Sequence, residues 1–173
     1  MIEGRLFESV GLYQQSQLRE LDPETGEIID AWMMDSRYFG EGLTYVDGKL
    51  IQLTYKRKPL TGFIYNFTDM SAQPSTFNFQ TSTGQGWGMT YDSKRKEIVV
   101  SDGSDFLLMW DPETMQEKRR VKVTRQLGKS ARQINELEYW RDRYVRKLSV
   151  APKCDYSLGP VLSRQVFLRG AAA

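Results

Sequence analysis

The chain has 173 residues, 40% of them hydrophobic and 27% charged, which is ordinary for one globular domain with a sizeable core. A net charge of +2 gives no electrostatic footprint for nucleic acid or an anionic membrane. No apolar run approaches the ~18 residues of a membrane-spanning helix. Histidine is absent and Cys154 is the single cysteine, which removes most zinc sites, histidine-based triads and an internal disulfide. Chemistry on this chain must rest on carboxylates, amides, hydroxyls, lysine or one thiol.

Short stretches of strand-forming residues separated by turn signals run from Arg5 onward. Arg5–Val10, Leu12–Leu21 and Glu27–Met34 are expected as the first three strands, with Asp22-Pro23-Glu24-Thr25-Gly26 as a turn. Four more are expected at Glu41–Val46, Lys49–Lys56, Gly62–Thr68 and Thr76–Thr81, the first pair joined by the hairpin dipeptide Asp47-Gly48. A second group of four follows at Trp87–Tyr91, Glu97–Ser101, Phe106–Asp111 and Lys118–Thr124. Ile134–Trp140 and Arg143–Leu148 open a further group. The first thirteen residues hold no apolar segment before a small-residue cleavage site, so no signal peptide is read there and localisation is left open.

The groups repeat. Gly40-Glu41-Gly42-Leu43-Thr44-Tyr45 returns as Gly86-Trp87-Gly88-Met89-Thr90-Tyr91 and, more faintly, as Asn135-Glu136-Leu137-Glu138-Tyr139. The steps between Leu43, Met89 and Leu137 are 46 (89 minus 43) and 48 (137 minus 89) residues. Asp111-Pro112-Glu113-Thr114 follows Asp22-Pro23-Glu24-Thr25 at roughly two such periods. Four short antiparallel strands per period of about 40–50 residues is the pattern of a β-propeller blade. The expected fold is therefore all-β: a partial, incomplete five-bladed β-propeller of about three and a half blades over residues 1–145. Residues 146–173 are expected to be a divergent, poorly ordered tail, since they carry two prolines and no match to the repeat.

Two positions before each aligned apolar residue stand Glu41, Trp87 and Asn135, a carboxylate, an indole and an amide in one slot. Equivalent slots on the inner strands of consecutive blades converge on one end of the channel. Glu41 reads either as an acid/base group, its pKa raised by partial desolvation, or as a solvated turn glutamate. Trp87 reads as a flat wall for a substrate or as a core indole, and Asn135 as a donor to a carbonyl or as a turn asparagine. Asp102-Gly103-Ser104 reads as a hairpin turn, because Ser104 has no base partner in sequence. The basic run from Lys118 to Arg132 has Val121 and Val123 interleaved at period two and reads as a strand with a solvated face, without the aromatic ladder of a nucleic-acid site. Asp22, Asp30 and Asp35 lack the spacing of a calcium loop, and Cys154 is assigned no role.

Leu6-Phe7-Glu8-Ser9, Ser16-Gln17-Leu18-Arg19, Phe39-Gly40-Glu41-Gly42-Leu43, Leu53-Thr54-Tyr55, Gly86-Trp87-Gly88-Met89-Thr90, Ser101-Asp102-Gly103-Ser104 and Asn135-Glu136-Leu137-Glu138 stand in an order and spacing that resemble the plant and bacterial glutaminyl cyclases (glutaminyl-peptide cyclotransferases). The resemblance covers about residues 4 to 145. It implies a five-bladed β-propeller that turns N-terminal glutamine of peptides or proteins into pyroglutamate and releases ammonia. It also implies Glu41 as the acid/base residue, and Asn135, Trp87 and Tyr55 as substrate contacts. Tyr55 stands where a tryptophan is usual in Leu-Thr-Trp. No cofactor, metal, nucleic acid or membrane partner is implied, and the lack of histidine fits this type. The family is often secreted.

The sequence departs from that pattern in three places. No Phe-Thr-Gln-Gly-Leu strand, with its glutamine in the slot of Glu41, precedes Arg5. After Val145 the pattern of a fifth blade with a site lysine is not found. Gln85 replaces the usual glutamate before Gly-Trp-Gly. The alternative expectation is thus a catalytically inactive truncated propeller that serves as a binding module or self-associates through open blade edges.

Overall fold

The computed structural model describes residues 2–124, 130–140, 143–148 and 163–166. Regular structure among them is entirely β, in four antiparallel sheets. The first sheet contains β1 (Leu6–Gly11), β2 (Gln17–Leu21) and β3 (Ile28–Met33). The second runs β4 (Gly40–Val46), β5 (Lys49–Thr54), β6 (Thr61–Asn66), β7 (Ser75–Asn78) in spatial order. The third repeats it with β8 (Met89–Asp92), β9 (Glu97–Ser101), β10 (Phe106–Trp110), β11 (Glu117–Lys122). The fourth pairs β12 (Ile134–Trp140) with β13 (Arg143–Leu148). A last strand, β14 (Ser163–Val166), lies beside β1, so the first sheet is ordered β14-β1-β2-β3.

The turns explain why the strands end where they do. Asp47 (φ 44°) and Gly48 (φ +79°) both take the left-handed conformation of a two-residue hairpin, whose twist matches its strands. In the two related turns, Asp22 Oδ1 accepts the N–H groups of Glu24 and Thr25 at 2.8 Å each, and Asp111 Oδ1 those of Glu113 and Thr114 at 3.0 Å each. Each turn closes on a residue at positive φ, Gly26 in one and Met115 (φ 56°) in the other. Met115 accepts this unfavourable backbone while its side chain is buried in the core.

Between successive sheets lie three apolar clusters. Phe7 and Leu18 of the first sheet meet Leu43, Leu50 and Tyr65 of the second. Ile51 and Leu53 of the second meet Met89, Ile98, Leu108 and Trp110 of the third. Val99, Leu107 and Met109 of the third meet Ile134 and Leu137 of the fourth. Each central strand thus buries both faces, one against each neighbour: Leu50 and Ile51 go opposite ways, as do Ile98 and Val99. Burying each such side chain contributes about 1.5–3 kcal/mol. Among the described residues the middle interface has eleven buried members against seven and six, so the second and third sheets share the most extensive packing. This is propeller architecture, with β14, β4, β8 and β12 as the inner strands.

Three differences from the sequence reading are informative. Leu12–Leu21 is not one strand: the Ser16 hydroxyl donates to the Leu12 carbonyl and accepts the Leu12 N–H, pinching off a turn before β2. Trp87 and Gly88 precede β8 rather than open it. Ser163–Val166 form a strand within residues 146–173, where the sequence reading expects none. In register with Glu8–Gly11, β14 pairs the inner edge that β1 presents. Residues 149–162 and 167–173, including Cys154, lie outside the described residues.

Candidate active site

Where β4 begins, its pairing with β5 slips: Gly40 faces Thr54 and Leu43 faces Gln52, leaving Glu41 and Gly42 in a bulge. Their backbone groups turn to other sheets instead. The Gly42 N–H donates to the Trp87 carbonyl at 2.7 Å, and the Ser9 hydroxyl donates to the Glu41 carbonyl at 2.6 Å. Just before them the Gly40 N–H donates to Ser16 Oγ at 3.1 Å. Three successive residues are thereby fixed from the first and third sheets, and bulges of this kind commonly re-aim a side chain beside an active site.

The glycines here are required for space. A Cβ at Gly42 would lie 2.5 Å from the Trp87 oxygen and 2.6 Å from the Met89 nitrogen. A Cβ at Gly88 would lie 2.8 Å from the Glu136 nitrogen. The starts of β4, β8 and β12 therefore touch in series, Gly42 on Trp87 and Gly88 on Glu136. A second bulge, between Asn135 and Leu137, opens β12. Glu136 sits in it at φ 33°, its N–H satisfied by Asn135 Oδ1 at 2.9 Å.

Glu41 is half-buried, open on one side but surrounded by protein on the others. That desolvation, together with the nearby charge of Glu136, pushes its carboxyl up to about 8. Trp87, also half-buried, donates its indole N–H to Gln85 Oε1 at 2.9 Å, so Gln85 supplies the acceptor that a glutamate would. The indole packs over Gly103 (φ +80°), where a Cβ would come within 2.8 Å of the ring. With its oxygen engaged by Glu136, the Asn135 amide keeps Nδ2 as its donor end. Tyr55 follows β5; its carbonyl accepts the Gly86 N–H at 2.6 Å and its own N–H reaches the Phe39 carbonyl at 3.0 Å. Its ring centroid lies 6.0 Å from Phe39, which in turn meets Tyr13 edge-on at 5.3 Å.

The structure thus brings the starts of β4, β8 and β12, with Glu41, Trp87 and Asn135, side by side, and ties Tyr55 to them through Gly86. Sequence reasoning missed Glu136, Tyr13 and Phe39. A signal for Glu136 was present, as a carboxylate in the repeat column held by Gly42 and Gly88. Ser104 is held by Asp102, its Oγ donating to Oδ1 at 2.5 Å. In the basic strand, Arg119 pairs with Glu97, Arg120 with Glu117 and Lys122 with Asp105.

Residues 1–146 match the family described as glutamine cyclotransferase. The chain is 34% identical over 166 residues to a glutaminyl-peptide cyclotransferase of Arabidopsis thaliana, a match covering 91% of this chain and 49% of that protein. It spans about half the length of that curated relative. Its fold superposes on the crystal structure of Myxococcus xanthus glutaminyl cyclase with a TM-score of 0.70 at 26% identity, covering 84% of this chain and 58% of that one. A chain in the structure of the mitotic checkpoint complex, at 14% identity and a TM-score of 0.52, covers 79% of this chain and 38% of its own length, and shares the fold alone. By sequence and by fold, the chain belongs to the glutamine cyclotransferase family.

Proposed function

We propose that the chain carries the catalytic side of a glutaminyl-peptide cyclotransferase, which closes the N-terminal glutamine of peptides or proteins to pyroglutamate and releases ammonia. The α-amine attacks the γ-carboxamide carbon of the same residue, so positioning supplies much of the rate. One proton must then leave the attacking nitrogen, and one must reach the departing nitrogen. Glu41 carries it: its acid form protonates the leaving amide nitrogen and its carboxylate takes the proton from the new ring nitrogen, ending as it began. A carboxyl near 8 lies close to a free α-amine at about 7.7–8.0, so near pH 8 a neutral, nucleophilic amine coexists with Glu41 in its acid form. Asn135 Nδ2 is the donor for the carbonyl oxygen as it gains charge. Trp87 and Tyr55 provide flat apolar walls for the folded glutamine side chain.

The observation that carries this reading is Glu41 itself: a desolvated carboxyl on a bulge fixed by two other sheets, beside Trp87. The test is pyroglutamate formation from a short glutamine-initial peptide, followed by mass spectrometry of the lost ammonia. The Glu41→Gln variant is expected to be inactive; equal turnover in that variant refutes the assignment.

A second reading, a non-catalytic propeller piece that self-associates, is favoured by one feature. The outer strand β3 exposes Ile28, Ile29 and Met33, each more than half accessible. Under that reading Ile29→Lys with Met33→Lys converts oligomers to monomers in sedimentation velocity, and Glu41→Gln does not.

A further inference from the structure

A buried polar chain leads to Glu41 from the interior of the second sheet. The Tyr65 hydroxyl donates to Gln52 Oε1 at 3.0 Å, Gln52 Nε2 donates to Ser9 Oγ at 2.7 Å, and Ser9 Oγ donates to the Glu41 carbonyl at 2.6 Å. The four residues lie on β6, β5, β1 and β4. Tyr65, Gln52 and Ser9 are 4%, 0% and 2% exposed, so water cannot replace a missing partner. Every donor points the same way, towards the carbonyl freed by the bulge. The Gln52 amide also fills the space beside Gly40, where a Cβ would lie 2.9 Å from Nε2.

The fold does not need this chain. Gln52 faces Leu43 as Val100 faces Met89, so the same position of the third sheet is an apolar residue, also fully buried. Tyr65 faces Leu50 as Trp110 faces Ile98, and the indole N–H of Trp110 has no partner among the described residues. A hydrogen-bonded chain in place of apolar packing occurs in the sheet that bears Glu41. Fully satisfied buried networks rigidify what they hold, whereas apolar residues of similar size are as stable or more so.

We propose that Tyr65, Gln52 and Ser9 are positioning residues, a directional relay that holds the main chain of Glu41 so that its carboxyl meets both nitrogens of the substrate. This rests on the reading of Glu41 as the proton carrier. None of the three touches substrate. Their effect therefore falls on the reacting geometry and not on binding.

The test uses the full chain with Tyr65→Phe, Gln52→Val and Ser9→Ala. Two quantities are read: kcat and KM on a glutamine-initial peptide, and residue-resolved amide hydrogen exchange by NMR. Tyr65→Phe, which preserves the ring, keeps the test alive should Ser9→Ala fail to fold. Expected are a fall in kcat of about 10- to 100-fold with KM within about twofold, since a small displacement of a reacting group costs on that order. Exchange at Gly42 should quicken about tenfold, while Val99 in the third sheet is unchanged. Unchanged kcat with unchanged Gly42 exchange overturns the proposal, as does a uniform quickening of exchange at both sites, which marks a purely structural role. Absence of turnover in the unmodified chain refutes the cyclotransferase reading instead, and the exchange at Gly42 then decides the relay alone.

Discussion

Replacing Gly42 with alanine tests whether the site is built by contact between inner strands. The added Cβ would stand 2.5 Å from the Trp87 oxygen, 2.6 Å from the Met89 nitrogen and 2.8 Å from the Gly88 carbonyl carbon. All three are main-chain atoms, so no side chain can swing away, and β4 and β8 must separate by nearly an ångström. Overpacking of this kind costs about 1–3 kcal/mol. The 2.7 Å bond from the Gly42 N–H to the Trp87 carbonyl lengthens with it, at about 1 kcal/mol. The expected loss is about 2–4 kcal/mol, which at about 2 kcal/mol/M moves the urea midpoint down by roughly 1–2 M. Gly48→Ala is the control: its φ is +79° but nothing lies within 4 Å, so it bears backbone strain of about 1 kcal/mol without a clash. Gly42→Ala should therefore be the more damaging of the two, and should also abolish turnover. A Gly42→Ala protein as stable as the unmodified chain would refute the series of inner-strand contacts on which the site rests.

Three further outcomes follow from the electrostatics and the pocket wall. Glu41 is raised from 4.5 to about 8, so ionising it costs free energy that the unfolded chain does not incur. Its contribution to stability is therefore lost as pH rises from about 4.5 through 8, reaching on the order of 4 kcal/mol at pH 9. Glu41→Gln should remove this decline, so its urea midpoint exceeds that of the unmodified chain at pH 9 and matches it at pH 4; parallel curves would contradict the desolvation. The active complex holds one proton between Glu41 and the substrate amine, so kcat/KM should describe a narrow bell near pH 8. Glu136→Gln removes the neighbouring charge that helps raise Glu41 and should move the acid limb to lower pH, whereas an unmoved limb would exclude the coupling. Gln85→Ala deletes the 2.9 Å acceptor of the Trp87 indole and should raise KM about three- to fivefold with little change in kcat, measured by steady-state kinetics.

Strand order and sheet membership were legible because they depend on short-range signals. The 46- and 48-residue steps, Asp47-Gly48 and the paired Asp-Pro-Glu-Thr turns locate twelve of the fourteen strands among the described residues to within three residues, and the end though not the start of β2. What was not legible is carried by contacts between repeats. Period-two alternation says that Leu50 and Ile51 face opposite ways, but not that Gln52, in the same strand, reaches Ser9 of another sheet. Neither does it reveal the slips in register that release Glu41 and Glu136 from their ladders, nor β14, whose sequence matches no repeat.

The site nevertheless has a common logic, visible when the repeats are laid over one another. A propeller repeat stabilises itself by being the same in each blade. Chemistry arises where a column departs from its own pattern. Gly42 and Gly88 keep the inner strands in contact, and the third member of their column is Glu136, a non-glycine residue at φ 33°. That departure places a second carboxylate near Glu41, whose charge adds to the burial that raises the pKa of the first. Gln52 against Val100 is a departure of the same kind, with a buried amide where its counterpart packs a valine. Each departs from what the repeat places in its column, and each acts on Glu41, Glu136 on its carboxyl and Gln52 through Ser9 on its main chain. Reverting such columns to the repeat, by Glu136→Gly or by Gln52→Val combined with Tyr65→Phe so that no buried hydroxyl is orphaned, should therefore leave stability equal or higher while degrading the function of Glu41, and a variant that gained both would break the link between repeat symmetry and site.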